Sequence, residues 1–324
     1  MGIRFFLLIA LLAGVSASSV AAQAGIKWGG QIYTDYSYVV EAPGDAGGDN
    51  GFGYRRLYLT GDYTVSERIS VRARLEAADN GLNSAGRPSP FVKDLFVRWK
   101  DAIAVGHELY LGISPSPGWE SSERFFGYRS LEATIMDRTK IASSRDFGIR
   151  ATGPVTETVR YNFMVGNNNS VNPEADRFKR LYGQFEWKPT DRLLATLGGD
   201  FAARAGGSAV TANAFVGYDL EVARVGVEAF VSPIRVDSPA SDVDRNGVSV
   251  FAAARVSSVL EALVRYDSFS QDMDGTAQTG WYLLTGLSWT PEKNVHLIPN
   301  LAWDKGLTAD DPRVVARVTL HVDY

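Results

Sequence analysis

The chain has 324 residues, a formal net charge of −4, 45% hydrophobic residues and no cysteine. The lack of cysteine excludes a disulfide framework and a thiolate metal site. The mildly acidic balance argues against a nucleic-acid-binding protein, which is usually basic. A chain of this length often has about two domains, but a β-barrel runs long as a single unit.

The first 24 residues have the three parts of a secretory signal peptide. Arg4 supplies a positive n-region, residues 5–15 are apolar, and Ala22 and Ala24 mark two small-residue cleavage sites. The apolar stretch is much shorter than the ~20 residues that a membrane-spanning helix needs. We therefore expect cleavage after residue 22 or 24, export, and a mature chain, residues 25–324, that forms one domain.

The mature chain is predicted to contain about sixteen β-strands, because apolar and polar residues alternate with a period of two. The last strand shows the pattern most clearly, with Val318 and Leu320 on one face and Arg317 and Thr319 on the other. Between the strands, the composition predicts loops that include residues 41–53, 114–144, 232–247 and 268–279. No later apolar run is long enough for a helical span, so the fold is either a soluble β-protein or a membrane β-barrel.

The lengths of the predicted connections favour the membrane barrel. Short turns such as residues 64–68, 188–192 and 290–294 fall on one side by count, whereas the longer glycine- and aspartate-rich loops fall on the other. Outer-membrane barrels have short periplasmic turns, long external loops and an even number of strands. A soluble sandwich has no reason to separate loop lengths in this way.

Aromatic residues near the strand ends share the apolar face, as the aromatic girdles of a membrane barrel require. These residues are Trp28, Tyr36, Trp99, Trp187, Tyr218, Trp281, Trp289, Trp303 and Tyr324. We therefore expect an all-β, transmembrane antiparallel barrel of about sixteen strands, with outer-membrane lipid against its apolar face.

Arginines recur on the opposite face, which would line the lumen. Arg56, Arg72, Arg74 and Arg98 lie on consecutive early strands and are predicted to form one basic patch. Such a patch favours anions, since guanidinium groups bind oxyanions in a bidentate manner. The alternative is a solvated, partly salt-bridged wall without a selective role.

The longest loop, residues 114–144, is predicted to be the third external loop and to fold into the lumen, where it would narrow the channel. A short helix is expected there, with Ser121 or Ser122 as its N-cap. Glu123, Arg124 and Arg129 would then project into the pore. The alternative is a loop that lies over the outer rim.

No catalytic residue, metal ligand or cofactor is expected, because the chain lacks a phosphate-binding loop, a dinucleotide fingerprint and a metalloprotease motif. His296 and His321 share the polar face of the last two strands. A metal or proton site there is the alternative to two solvated histidines near the barrel rim.

Residues 54–77, YRRLYLTGDYTVSERISVRARLEA, resemble the early hairpin of the phosphate-selective porin O and P family. The resemblance implies a trimeric, sixteen-stranded outer-membrane channel with an inward-folded third loop and basic residues that lead anions to a constriction. By position in the hairpin these would be Arg56, Arg72 and Arg74, with the loop arginines Arg124 and Arg129. This chain departs from the pattern in its acidic balance.

The sequence therefore predicts an outer-membrane porin, a passive channel for small hydrophilic solutes with a preference for anions and possibly phosphate. The alternative is a closed barrel without conductance that acts as an adhesin or anchor. A barrel-embedded hydrolase would need a nucleophile and a base within hydrogen-bond reach, and the sequence contains no motif of that kind.

Overall fold

In the computed structural model, the described residues are 25–44, 47–79, 81–237 and 242–324. They form a closed barrel of sixteen strands, in which each strand pairs antiparallel with the next and the first pairs with the last. The predicted antiparallel barrel of about sixteen strands is confirmed. The predicted signal peptide lies outside the described residues and stays a prediction.

The first eight strands are β1 (Lys27–Glu41), β2 (Asn50–Thr64), β3 (Ile69–Ala77), β4 (Phe91–Lys100), β5 (Glu108–Pro115), β6 (Arg145–Pro154), β7 (Val159–Gly166) and β8 (Arg180–Trp187). The second eight are β9 (Leu193–Arg204), β10 (Gly207–Asp219), β11 (Ala223–Val236), β12 (Val243–Arg255), β13 (Leu260–Met273), β14 (Thr276–Glu292), β15 (Val295–Lys305) and β16 (Arg313–Asp323). Two short helices, α1 (Glu120–Phe126) and α2 (Ile135–Arg138), lie between β5 and β6. Within the described ranges no helix has the length and apolar character to cross a membrane.

Each strand has two different faces, which we call the apolar face and the polar face. On β16, Val318 is 41% exposed on the apolar face, whereas Thr319 is fully buried on the polar face. The aromatic residues Trp28, Tyr36, Trp99, Trp187, Tyr218, Trp289 and Tyr324 are exposed. Since a soluble barrel would bury its apolar residues, the arrangement is that of a barrel whose outer surface meets an apolar medium.

The hairpins extend further than the sequence indicated. The predicted loop at residues 268–279 is wrong, because β13 and β14 continue to a two-residue turn at Asp274 and Gly275. Both residues have positive φ, 56° and 76°, which this tight hairpin turn requires and which Asp-Gly adopts readily. Most of the predicted loop at 232–247 also belongs to strands. The cause is that polar residues on both faces near these strand ends hide the alternation.

Two β-bulges each bring an additional cation to the polar face. In β2, the pairing with β1 skips Arg55, and the Arg55 guanidinium lies 3.4 Å from the buried Asp35 carboxylate. In β4, the pairing with β3 skips Lys93, and the Lys93 ammonium lies 3.0 Å from Glu76. A bulge adds one residue to a strand and so interrupts the strict alternation of faces.

Candidate functional site

A group of charged side chains from β2, β3, β4 and β6 meets on the polar face. We call it the cation cluster, and its members are Arg56, Arg74, Lys93, Arg145, Glu76 and Asp94. The neighbouring strands β2, β3 and β4 bring five of these residues together, because side chains of matching register on one face of a sheet are neighbours. Arg145 reaches Asp94 from β6, across β5. Four cations thus share two carboxylates, which leaves an excess of two positive charges.

Each carboxylate of the cation cluster is shared by two cations. Glu76 lies 3.1 Å from the Arg56 Nε and 3.0 Å from the Lys93 Nζ. The Glu76 side chain is only 6% exposed, compared with 16% for Arg56. The carboxylate is thus more deeply buried in the wall than its cation, so the exposed side of the pair is positive.

Asp94 is bound in the same way by cations from two other strands. Arg74 lies 3.4 Å from one Asp94 oxygen, and the Arg145 Nε donates a hydrogen bond to the other. The Asp94 side chain is 1% exposed and that of Arg74 is 22% exposed. The Tyr58 ring lies between Arg56 and Arg74 and holds both by cation–π contacts, at 5.4 and 4.9 Å.

The β5–β6 segment, residues 116–144, packs on the polar face of β10–β15. Its buried apolar residues are Trp119, Phe126, Leu131, Ile135, Met136 and Ile141, and they contact polar-face residues that include Phe215, Phe230, Phe251, Leu263, Tyr282, Leu284 and Ile298. Glycines on the wall make room: a Cβ at Gly217 would meet Phe125, and a Cβ at Gly247 would meet Ile135. The segment is therefore held by a small hydrophobic core.

Hydrogen bonds from α1 add to this packing and correct the predicted cap. Trp119, not a serine, is the N-cap residue of α1. The Ser121 hydroxyl donates instead to Glu186 at 2.6 Å, and the Ser122 hydroxyl donates to Glu228 at 2.8 Å. The predicted cap is wrong because contacts with distant strands, which local sequence rules do not include, take up both hydroxyls.

Arg265 binds the middle of the β5–β6 segment, between α1 and α2. Its Nη1 donates to the Ala133 carbonyl at 2.6 Å, while Nε and Nη2 bind the two oxygens of Asp267 at 2.8 and 2.6 Å. Both charged side chains are almost fully buried. Removal of one partner from such a buried ion pair strongly destabilises the folded protein.

One group of charges on the β5–β6 segment, Arg129 with Glu123 and Asp137, has the opposite balance to the cation cluster. Arg129 lies 2.9 Å from Glu123 and 3.0 Å from Asp137, so one cation serves two carboxylates. Burial raises the pKa of the Glu123 carboxyl above its ordinary value. The positive charges of Arg129, Arg145 and Arg56 oppose this effect and lower the pKa. Because Arg145 and Arg56 belong to the cation cluster, Glu123 lies within electrostatic reach of that cluster.

The four arginines predicted to form one patch are divided. Arg56 and Arg74 belong to the cation cluster, whereas Arg72 pairs with Asp62 at 2.7 Å and Arg98 pairs with Glu108 at 3.0 Å. These one-to-one pairs carry no excess charge. Two of the four predicted members are therefore neutralised by cross-strand partners, and the role of all four in selectivity stays a prediction.

On the β5–β6 segment, the Arg124 Nη2 lies 3.5 Å from the Ser121 hydroxyl. The roles of Glu123, Arg124 and Arg129 in selectivity stay predictions. Sequence reasoning did not assign Lys93, Asp94 or Arg145 to the site.

Comparison with known proteins identifies the architecture. No protein-family model and no curated relative matches the chain. Among solved structures, an anion-selective porin from Comamonas acidovorans superposes with a TM-score of 0.70 at 18% identity, over 93% of this chain and 100% of that one. The chain has the fold of outer-membrane porins.

Two further structures show the same porin fold. OprB of Pseudomonas putida superposes with a TM-score of 0.69 at 7% identity, covering 93% of this chain and 94% of that one. The outer membrane channel DcaP of Acinetobacter baumannii gives 0.68 at 11% identity, covering 97% and 100%. The similarity extends over nearly the whole of each chain.

Proposed function

We propose that the chain is an outer-membrane porin, a passive diffusion channel for small hydrophilic solutes that prefers anions. The observation that carries the proposal is the positive excess of the cation cluster on the polar face of a closed sixteen-strand barrel. A barrel of this size is too wide for wall side chains alone to fill. The polar face would therefore surround water, and the apolar face would meet lipid.

The β5–β6 segment is proposed to fold into the lumen and form the constriction. The segment contacts four polar-face side chains on separate strands, which are Glu186 on β8, Glu228 on β11, Arg265 on β13 and Asp304 on β15. A segment on the outer rim would not reach these strands through that face. The opening that remains would lie between the segment and the cation cluster.

The charges on the two sides of this opening would favour anions. The cation cluster has four cations and two carboxylates, and the facing group has Arg129 with Glu123 and Asp137. Together these residues carry five positive and four negative charges. The positive excess faces the opening because the wall carboxylates are buried, and field strength in a narrow pore selects ions by sign.

Phosphate as a preferred solute and assembly as a homotrimer are further parts of the proposal, and both rest on the family resemblance of residues 54–77. Guanidinium groups suit phosphate because they offer bidentate hydrogen bonds. The competing function is a closed barrel that serves as an adhesin or anchor. Conductance separates the two.

The first test is the conductance of the purified protein in a planar bilayer under a KCl gradient. We expect stepwise conductance and a zero-current potential of the sign that anion preference produces. A cation-preferring or neutral potential would leave a general porin and remove the proposed role of the cation cluster. A protein that inserts without conductance would support the adhesin or anchor.

Acidification is expected to increase the preference for anions. Since burial raises the pKa of Glu123, this carboxyl takes up a proton at a higher pH than an ordinary glutamate does, and the segment then loses a negative charge. Glu123→Gln should show the increased preference already at neutral pH and a smaller change on acidification. Glu157→Gln, which makes the same change in an exposed short turn, is the matched control. An equal pH response in all three proteins would contradict the assignment.

A further inference from the structure

Three potential metal ligands meet on the polar face beside the seam that closes the barrel. His296 on β15 lies directly opposite His321 on β16, and Asp323 follows on the same face of β16. One ligand atom from each residue lies within 4.8 Å of the others. The two imidazole rings are stacked, with centroids 5.2 Å apart.

The His321 Nε2 is buried and has no hydrogen-bond partner in the described part of the chain. It lies 3.2 Å from the Asp323 Oδ2, a contact without the geometry of a hydrogen bond. Two ligands at about 2.0–2.1 Å from one tetrahedral ion would be separated by about 3.3 Å. The spacing thus suits an imidazole and a carboxylate that bind the same ion.

Neighbouring side chains orient the potential ligands. The Thr290 hydroxyl lies 3.0 Å from the His296 Nδ1, so the His296 Nε2 remains available for an ion. The Gln31 amide donates to the Asp323 Oδ1 at 2.7 Å, which leaves Oδ2 available. In protein metal sites, a neighbouring group typically binds the ring nitrogen or carboxylate oxygen of a ligand that does not coordinate the ion, and so orients the ligand.

The Tyr33 side chain contacts Gln31 and His321 and helps to fix their positions. Its hydroxyl donates to the Gln31 side-chain oxygen Oε1 at 2.8 Å, and its ring packs edge-on against His321 at 4.7 Å. His296 and His321 also line a cavity of about 430 Å³. An ion therefore has a route to the site, and water can complete its coordination.

We propose that His296, His321 and Asp323 bind one divalent transition-metal ion of the zinc class. Two imidazoles and one carboxylate suit Zn²⁺ and its neighbours in the first transition series, and such ions commonly keep one position for water. The ion would link β15 to β16 next to the pairing of β16 with β1. This proposal replaces the expectation, from sequence motifs alone, that the chain has no metal site.

The test uses the full folded barrel in detergent, without a histidine tag, with Co²⁺ as a spectroscopic probe and Zn²⁺ in calorimetric titration. We expect one ion per chain and the visible absorption of a low-coordinate Co²⁺ site, displaced by Zn²⁺. His296→Ala and His321→Ala should each weaken binding at least tenfold. The chain has three histidines, so His107→Ala, which removes a partner of Tyr161, is the matched control and should bind as the wild type does.

Gln31→Leu provides a variant that keeps all three ligands, and it should weaken Zn²⁺ binding by about 10- to 100-fold through loss of the contact that orients Asp323. It also keeps the test valid if a histidine variant does not fold. Absence of Co²⁺ binding in the wild-type protein would overturn the proposal. Binding that survives in both His296→Ala and His321→Ala would assign the ion to other groups and would also overturn it.

Discussion

Replacement of both Arg74 and Arg145 by glutamine is expected to reverse the selectivity of the channel from anions to cations. The cation cluster would change from four cations and two carboxylates to two of each, while the facing group of Arg129, Glu123 and Asp137 keeps its single negative excess. Glutamine can still donate a hydrogen bond to the buried Asp94. Because Asp94 loses both of its cations, we also expect a lower free energy of unfolding, which denaturant titration measures. The zero-current potential under a KCl gradient reports the change.

The expected size of this reversal follows from the distance between wall charge and permeating ion. One unit charge at about 4 Å is worth ~1 kcal/mol in water, which is about a fivefold change in an equilibrium constant. Salt screens the interaction over about 10 Å at 0.1 M. We therefore expect the anion-to-cation permeability ratio to fall about five- to tenfold for the double variant, and less as salt rises.

The matched control is Arg72→Gln combined with Asp62→Asn. This pair lies on the same face and is joined at 2.7 Å, but its removal leaves the net charge of the wall unchanged. The control should keep the wild-type potential. If the two double variants behave alike, the position of charge in the cation cluster has no role in selectivity.

The fold follows from local sequence patterns to a large extent. Alternation on β16, from Arg317 to Leu320, predicts both the strand and its two faces, because one face meets an apolar medium and the other a polar one. Errors arise where the alternation fails for a physical reason. Strands that continue beyond the apolar zone no longer need an apolar side, and the longer predicted loop therefore includes the turn at Asp274 and Gly275.

The candidate site depends on features that local patterns do not contain. The bulges that turn Arg55 and Lys93 toward the polar face are set by the pairing of two strands, and strict alternation places both residues on the apolar face. The partners of Arg72 and Arg98 depend on cross-strand register in the same way. A cation at an apolar-face position was itself a signal, because a charge that faces lipid at mid-depth costs about 2–4 kcal/mol.

Arg265 is expected to be the side chain whose loss most affects the stability of the barrel and the position of the β5–β6 segment. Arg265→Met removes the partner of the fully buried Asp267 and the donor to the Ala133 carbonyl. An uncompensated buried charge costs about 3–5 kcal/mol. We expect a lower free energy of unfolding in denaturant titrations, and larger, fluctuating single-channel conductance as the segment loosens.

Arg255→Met is the matched control for stability. Arg255 also binds an aspartate with two hydrogen bonds, to the oxygens of Asp219 at 3.1 and 2.9 Å. That pair is exposed at the rim, where water replaces the lost contact, so little change in unfolding is expected. Equal destabilisation by both variants would show that burial is not the cause.

The double variant Arg265→Met with Asp267→Leu separates stability from the position of the segment. Replacement of a buried ion pair by apolar side chains of similar volume is often neutral or stabilising, so the free energy of unfolding should return toward the wild-type value. The Ala133 carbonyl still lacks its donor, and the fluctuating conductance should therefore persist. If conductance returns to normal together with stability, Arg265 acts only on the wall, and the hydrophobic packing and the hydrogen bonds of α1 hold the segment without it.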